Sequence, residues 1–200
     1  MRVLSICGSL GAASSNAAAL RVAAKVARAQ GCVVEDAVAL ADVPAFRPEA
    51  VDDAPASVVA LRAAFETADL VLIAAPEYAA GLSGSLKNAL DWMVGSGSLY
   101  HRVVAVMSVG TTGGPFALEQ LTRTLSWQGA LVVATLGIDA PKTKMNDRGE
   151  FDEPTTLADI AAWTRRAIEV RRGSPEDRRR AVQAVVSRYG IDIERFGVIP

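Results

Sequence analysis

Five short apolar runs, Arg2–Cys7, Val33–Val38, Leu70–Ala75, Val103–Val109 and Leu131–Leu136, recur along the chain and barely alternate between apolar and polar residues. A strand with one wet face alternates, so runs of this kind predict strands covered on both faces, as in a parallel sheet. Between them lie stretches with helical spacing and readable ends. Asn16 or a preceding Ser starts one that Gly31 stops, Ser57–Thr67 is a second, and Gly84–Met93 is a third. Pro115 suits the first turn of a fourth, where Leu118, Leu121 and Leu125 line one face before Gly129. Thr156 with Asp159 reads as a capping box for a fifth ending near Gly173.

Strands alternating with helices need right-handed crossovers. The fold class is therefore α/β, a doubly wound five-stranded parallel sheet of flavodoxin-like order 2-1-3-4-5, with ligands bound beyond the strand carboxyl ends. This body spans 1–173. A C-terminal helical extension, 174–200, begins at Ser174, Pro175 and Asp177 and carries an apolar stripe from Ala181 to Tyr189. It is expected to pack on the body and to be available for self-association.

Composition excludes several function classes. With 21 Lys and Arg against 22 Asp and Glu, the net charge of −1 argues against a dedicated nucleic-acid binder. The balance is uneven, because residues 165–180 hold seven Arg and three acids. That segment reads as a solvated helix face. No run approaches the ~20 apolar residues of a membrane span. The two Cys and the absence of a cleavable leader pattern predict a cytoplasmic protein with structural thiols. A single His and two distant Cys give a transition metal little to bind. The interior is expected to be filled by small side chains, since Ala alone supplies 36 residues.

The chemistry is expected in three loops. After the first strand, Gly8-Ser9-Leu10-Gly11-Ala12-Ala13-Ser14-Ser15-Asn16 runs straight into a helix. Small residues, hydroxyls and a helix N-terminus make a phosphate cradle, although the same residues also make ordinary turns and caps. It lacks the Gly-Lys-Ser/Thr end of a Walker loop. After the third strand comes Pro76-Glu77-Tyr78-Ala79-Ala80-Gly81, and after the fourth Ser108-Val109-Gly110-Thr111-Thr112-Gly113-Gly114.

Together these loops resemble the NADPH-dependent FMN reductases, a flavodoxin-like family that includes quinone, azo-dye and chromate reductases. Gly8, Ser9, Ser14 and Asn16 match its first motif. Pro76, Glu77, Tyr78, Gly84, Leu86, Lys87, Asn88, Ala89, Asp91 and Trp92 match the second, with Leu90 for Ile. Ser108, Gly110, Gly113 and Gly114 resemble its third, and Asn146–Glu153 resembles its closing segment, so the likeness covers about residues 1–170. It implies FMN as cofactor, its phosphate on Ser9, Gly11, Ser14, Ser15, Asn16 and loop backbone. The ring is placed against Pro76, Glu77, Tyr78 and Ala79, with Ser108, Gly110, Thr111, Gly113 and Gly114 closing round its edges and the ribityl chain.

By the same resemblance, hydride passes from NADPH or NADH to FMN N5 and then to a flavin, quinone or other small acceptor, by ping-pong transfer and with no catalytic side chain. A homodimer or homotetramer is also implied. Four positions depart from the family pattern: Gly11 stands for Arg, and Ala79, Gly81 and Ser83 stand for Asn, Ser and Pro. These predict weaker or rearranged FMN binding and an altered nucleotide preference. They also keep open a non-enzymatic electron carrier or a binding protein with a decayed nucleotide site.

Overall fold

A computed structural model describes all residues, 1–200. Its parallel sheet is built from β1 (Arg2–Cys7), β2 (Val33–Asp36), β3 (Leu70–Ala74), β6 (Val103–Val109) and β7 (Leu131–Ile138), in the order β2-β1-β3-β6-β7. This is the expected 2-1-3-4-5 order. The labels shift because an unforeseen antiparallel hairpin, β4 (Glu77–Tyr78) and β5 (Gly81–Leu82), lies between the third and fourth sheet strands.

Both faces of the sheet are covered. One carries α1 (Ser15–Ala29) and α5 (Pro154–Arg172), the other α2 (Ala56–Thr67), α3 (Gly84–Asp91) and α4 (Pro115–Trp127). Alternate residues of each central strand supply the two cores. Leu70, Leu72 and Ala74 join the first, and Val71, Ile73 and Ala75 the second. All of β3 and β6 is buried, which is why their sequences do not alternate. Burying a side chain such as Phe65 or Leu121 contributes about 1.5–3 kcal/mol. On α1, Ala18, Ala19, Ala23 and Ala27 are the contact residues, so the Ala content lets this helix lie close on the sheet.

Two boundaries differ from expectation. β2 stops at Asp36, because the chain leaves the edge of the sheet there for a loop whose Leu40 and Val43 are buried. α5 starts at Glu153 and not at Thr156. Pro154 takes the first helical position, and the Glu153 carboxylate accepts from the backbone N–H groups of Thr155 at 3.0 Å and Thr156 at 2.6 Å. Thr156 itself is buried.

The C-terminal segment forms α6 (Pro175–Val186), opened by a reciprocal capping box between Ser174 and Asp177. Ala181, Val182 and Val186 enter the first core, together with Ile191, Ile193, Phe196 and Ile199 beyond the helix. The Arg-rich run is largely engaged within the chain. Arg171 bonds Asp69, Arg178 bonds the Gly173 carbonyl, Arg179 pairs with Glu194, and Arg180 pairs with Glu176 and Asp177.

Candidate functional site

At the carboxyl ends of β1, β3 and β6, three loops are tied to one another before any ligand is considered. Gly8 donates its N–H to the Ala74 carbonyl at 2.7 Å. A Cβ on Gly8 would stand 2.9 Å from Leu86 Cδ2 and 3.2 Å from Pro76 Cδ, so the close approach of loops one and two requires glycine. Ser83 caps α3 by accepting from the Leu86 N–H, and its hydroxyl donates to the Gly8 carbonyl at 2.6 Å. The Pro-to-Ser departure therefore exchanges a rigid ring for a tether between loops.

Loop one presents its backbone to the cleft. Ser9 Oγ accepts from the Gly11 N–H, and Ser14, the N-cap of α1, accepts from the Ala17 N–H at 3.2 Å. The backbone N–H groups of Ala12 to Asn16 donate to no protein acceptor, and α1 has no acidic residue in its first turn. Consecutive unpaired amides at a helix N-terminus form an anion site. This passage fits a phosphate monoester.

Asn16, expected from the resemblance to hold phosphate, has its side chain engaged elsewhere. It is 4% exposed, its Nδ2 donates to the Val109 carbonyl at 2.9 Å, and its Oδ1 accepts from the Val109 N–H at 3.1 Å. One step earlier in the ladder, the Met107 carbonyl accepts from the Ala75 N–H; beyond that β3 has ended, and the Asn16 amide takes the place of the missing strand. Only its backbone N–H is open to the cleft.

Glu77 has a comparable structural role. α4 begins at Gly114 in the left-handed region with no side-chain cap of its own. The Glu77 carboxylate supplies it, accepting from the Phe116 N–H at 2.8 Å and the Ala117 N–H at 3.1 Å. Gly114 cannot be replaced there, because a Cβ would fall 1.8 Å from Ser108 Oγ. Between β4 and β5, Ala79 (φ 50°) and Ala80 (φ 57°) form a two-residue turn with both φ positive. A Cβ on Gly81 would stand 2.8 Å from Gln120 Oε1, which accepts from the Leu82 N–H.

The cleft between these loops measures about 600 Å³, within the range of about 300–1,000 Å³ typical of cofactor sites. Of the expected residues, Ser9, Gly11, Ser14, Ser15, Asn16, Pro76, Glu77, Tyr78, Gly110 and Thr111 line it. Ser108, Gly113 and Gly114 are buried behind the wall and shape the loops, whereas Ala79 is exposed in the β4–β5 turn and does not line the cleft. Ser108 Oγ is buried without a hydrogen-bond partner. Ala13 and Val109, of the first and third expected loops, also line it, and the unforeseen lining is a fourth segment, Ala140–Thr143. That segment is set by a bridge between Thr112 and Asp139 and by an ion pair from Lys144 to Asp139, whose hydrogen bond lowers the Asp139 pKa. Lys142 is the one cation on the cleft wall. No sequence pattern marked this segment, because its place depends on where β7 ends in the sheet.

An amide anion cradle after β1, with glycine-shaped loops beside it at the ends of β3 and β6, defines a flavodoxin-like nucleotide-binding protein. The chain belongs to the NADPH-dependent FMN reductase family, whose sequence pattern matches residues 1–141. It is 38% identical over 129 residues to the "Probable NADPH:quinone oxidoreductase 2" of Oryza sativa subsp. japonica, a match spanning 62% of this chain and 63% of the rice protein. It is 31% identical over 139 residues to the "Quinone reductase" of Escherichia coli (strain K12), spanning 66% and 73% of the two chains. Among solved structures, the flavoenzyme NAD(P)H:(acceptor) oxidoreductase FerB from Paracoccus denitrificans superposes with a TM-score of 0.68 at 25% identity, over 84% of this chain and 97% of that one.

Proposed function

We propose that this protein is an NAD(P)H-dependent FMN reductase of the quinone-reductase type. The observation that carries the reading is the run of unpaired amides from Ala12 to Asn16 at the head of α1, opening into a cleft of cofactor size. Those amides and the Ser9, Ser14 and Ser15 hydroxyls would hold the FMN phosphate. The chemistry FMN supplies when bound is hydride acceptance at N5 and its onward delivery to a second substrate.

The chain's own residues bind and orient. Pro76 and the Gly110–Thr111 backbone give flat, small walls for a ring, and Tyr78 stands 57% exposed at the mouth, where an aromatic substrate would contact it. Glu77 is held by the α4 amides, so its carboxylate serves as a cap and is not positioned as a proton donor. Gly11 leaves loop one without the family's Arg; Lys142, on the facing wall, supplies the cleft's positive charge.

The reading extends to a small-molecule acceptor, a cytoplasmic setting and a homodimer or homotetramer. Exposed Phe116, next to the Glu77 cap, supports the self-association, since apolar surface beside a cleft mouth suits cover by a second copy. No helix is long and apolar enough to cross a membrane.

A diode-array assay with NADH and NADPH, with and without added FMN and a benzoquinone, tests the function. Flavin-dependent oxidation of either nucleotide, with reduction of the quinone, is the expected result. FMN binding without nucleotide oxidation would make the protein a carrier, and failure to bind FMN would overturn the reading.

A further inference from the structure

At the amino ends of β6 and β7, the opposite end of the sheet from the cleft, lies a pocket of about 270 Å³ closed by the C-terminal segment. The seven residues of β6 put roughly 20 Å between the two sites, at about 3.3 Å per residue. Three guanidiniums line the pocket: Arg102 just before β6, Arg171 near the end of α5, and Arg178 in α6. All three side chains are half-buried, as is Asp69, the one acidic side chain on the wall. Asp69 is already engaged. Its carboxylate accepts from Arg171 at 3.2 Å and from the Arg2 N–H at 2.8 Å. The other two guanidiniums have neutral partners alone. Arg102 donates from Nη1 to the Ala68 carbonyl at 3.2 Å, and its Nε is buried with no partner. Arg178 donates to the carbonyls of Pro200, Arg171 and Gly173. Neither Arg102 nor Arg178 is in an ion pair. Arg102 Nη2, Arg171 Nη1 and Arg178 Nη2 have no protein acceptor.

Charge drawn into a half-buried pocket costs free energy unless an opposite charge accompanies it. Three cations against one carboxylate leave an excess of two, and a carboxylate at Pro200 would still leave one. Forked donors around a single pocket match an oxyanion, which guanidiniums hold by paired, charge-assisted hydrogen bonds. The volume falls below the range of about 300–1,000 Å³ typical of organic ligands, which selects an ion over a nucleotide. We propose that this pocket binds one tetrahedral oxyanion of the phosphate or sulfate kind, held by Arg102, Arg171 and Arg178. Because the three arginines come from the sheet, α5 and α6, the anion ties the C-terminal segment to the body. His101, on the same wall, makes a second tie by donating from Nε2 to the Phe196 carbonyl at 3.2 Å. The pocket shares no residue with the cleft, so the proposal stands apart from the reductase reading.

Calorimetric titration of sodium phosphate, and separately of sodium sulfate, into protein held in excess FMN tests the site, with ionic strength fixed by sodium chloride. Excess FMN displaces inorganic phosphate from the loop-one amides, so one remaining anion per chain is expected. Binding of either anion supports the site, and the two titrations tell which one it prefers. In Arg102→Ala the affinity is expected to fall roughly ten- to hundredfold, as for a lost charged hydrogen-bonding partner. Arg102→Lys keeps the charge and loses the fork; it is expected to weaken binding several-fold, and it decides the matter if the alanine variant does not fold by circular dichroism. Hydrogen exchange reads the tie: α6 amides are expected to exchange more slowly in phosphate than in chloride for the wild type, and equally in the two salts for Arg102→Ala. Binding of neither anion in excess FMN, or an affinity unchanged in both Arg102 variants, overturns the site. Anion binding with no change in α6 exchange overturns the tie. Should FMN itself not bind, Arg102→Ala leaves loop one intact, so a loss of phosphate binding in that variant still assigns the anion to this pocket.

Discussion

Asn16→Ala separates two roles that the same residue can have. As a phosphate ligand, Asn16 would matter only when FMN is present; as the clamp on Val109, it matters in the flavin-free protein. The substitution removes two hydrogen bonds of 2.9 and 3.1 Å and strands the N–H and carbonyl of Val109, a residue 3% exposed. Each buried group left unpaired costs about 1–3 kcal/mol, and some water entry through the cleft lowers the sum, giving about 2–4 kcal/mol. For a chain of this size that is a fall in Tm of about 4–16 °C.

Urea unfolding of FMN-free protein, followed by circular dichroism, measures it. Ser9→Ala is the control, since Ser9 Oγ accepts only the exposed Gly11 N–H; its flavin-free stability is expected to change by under about 0.5 kcal/mol while FMN affinity falls. An Asn16→Ala protein as stable as wild type without FMN, and impaired only in binding it, would refute the clamp.

Ala80→Gly should stabilise the protein by about 0.5–1 kcal/mol, because it relieves one of two left-handed alanines at some cost in unfolded-state entropy; thermal unfolding measures this. Glu77→Ala leaves the first amides of α4 uncapped and should cost about 1–2 kcal/mol by urea titration, with Glu77→Gln recovering part of it. Lys142→Ala should raise the FMN dissociation constant several-fold, more at low ionic strength, in a fluorescence-quenching titration. Acid stability has a defined window. Hydrogen bonding from Thr156 and then Thr155 holds Glu153 at about 2, against an ordinary 4.5. Ser174, with help from Arg180, holds Asp177 at about 2, against 3.8. Both folded pKa values are depressed, so the two caps stabilise fully above the ordinary values, and the contribution is lost as pH falls from about 4.5 to about 2. Glu153→Gln should flatten the fall in urea midpoint across that range.

The sheet order and the three loops were legible because their causes are local. Doubly covered strands must be uniformly apolar, and β3 and β6 are; a crossover has one hand; a loop that brings backbone to a ligand must be small, as Gly8 to Asn16 is. The family resemblance read from those loops names the family that matches residues 1–141. The turn at Ala79–Ala80 was not legible. Turns with two positive φ values normally announce themselves by Asn or Gly, and here two alanines are held in that state by the pairing around them. Thr156 offered a plausible cap, yet Pro154 and the Glu153 carboxylate outcompete it, placing the cap three residues earlier.

By itself, the sequence determined the five strands of the main sheet and the helices that cover it, that this sheet would be parallel, and which loops would gather at its carboxyl end. Tertiary structure alone decided what the side chains there do. Asn16 and Val109 are 93 residues apart, and Glu77 reaches the α4 amides 39 and 40 residues on. The cation of the cleft wall, Lys142, comes from beyond the last strand. Periodicity and spacing report forces along the chain, whereas these contacts are fixed by where strand ends fall in three dimensions.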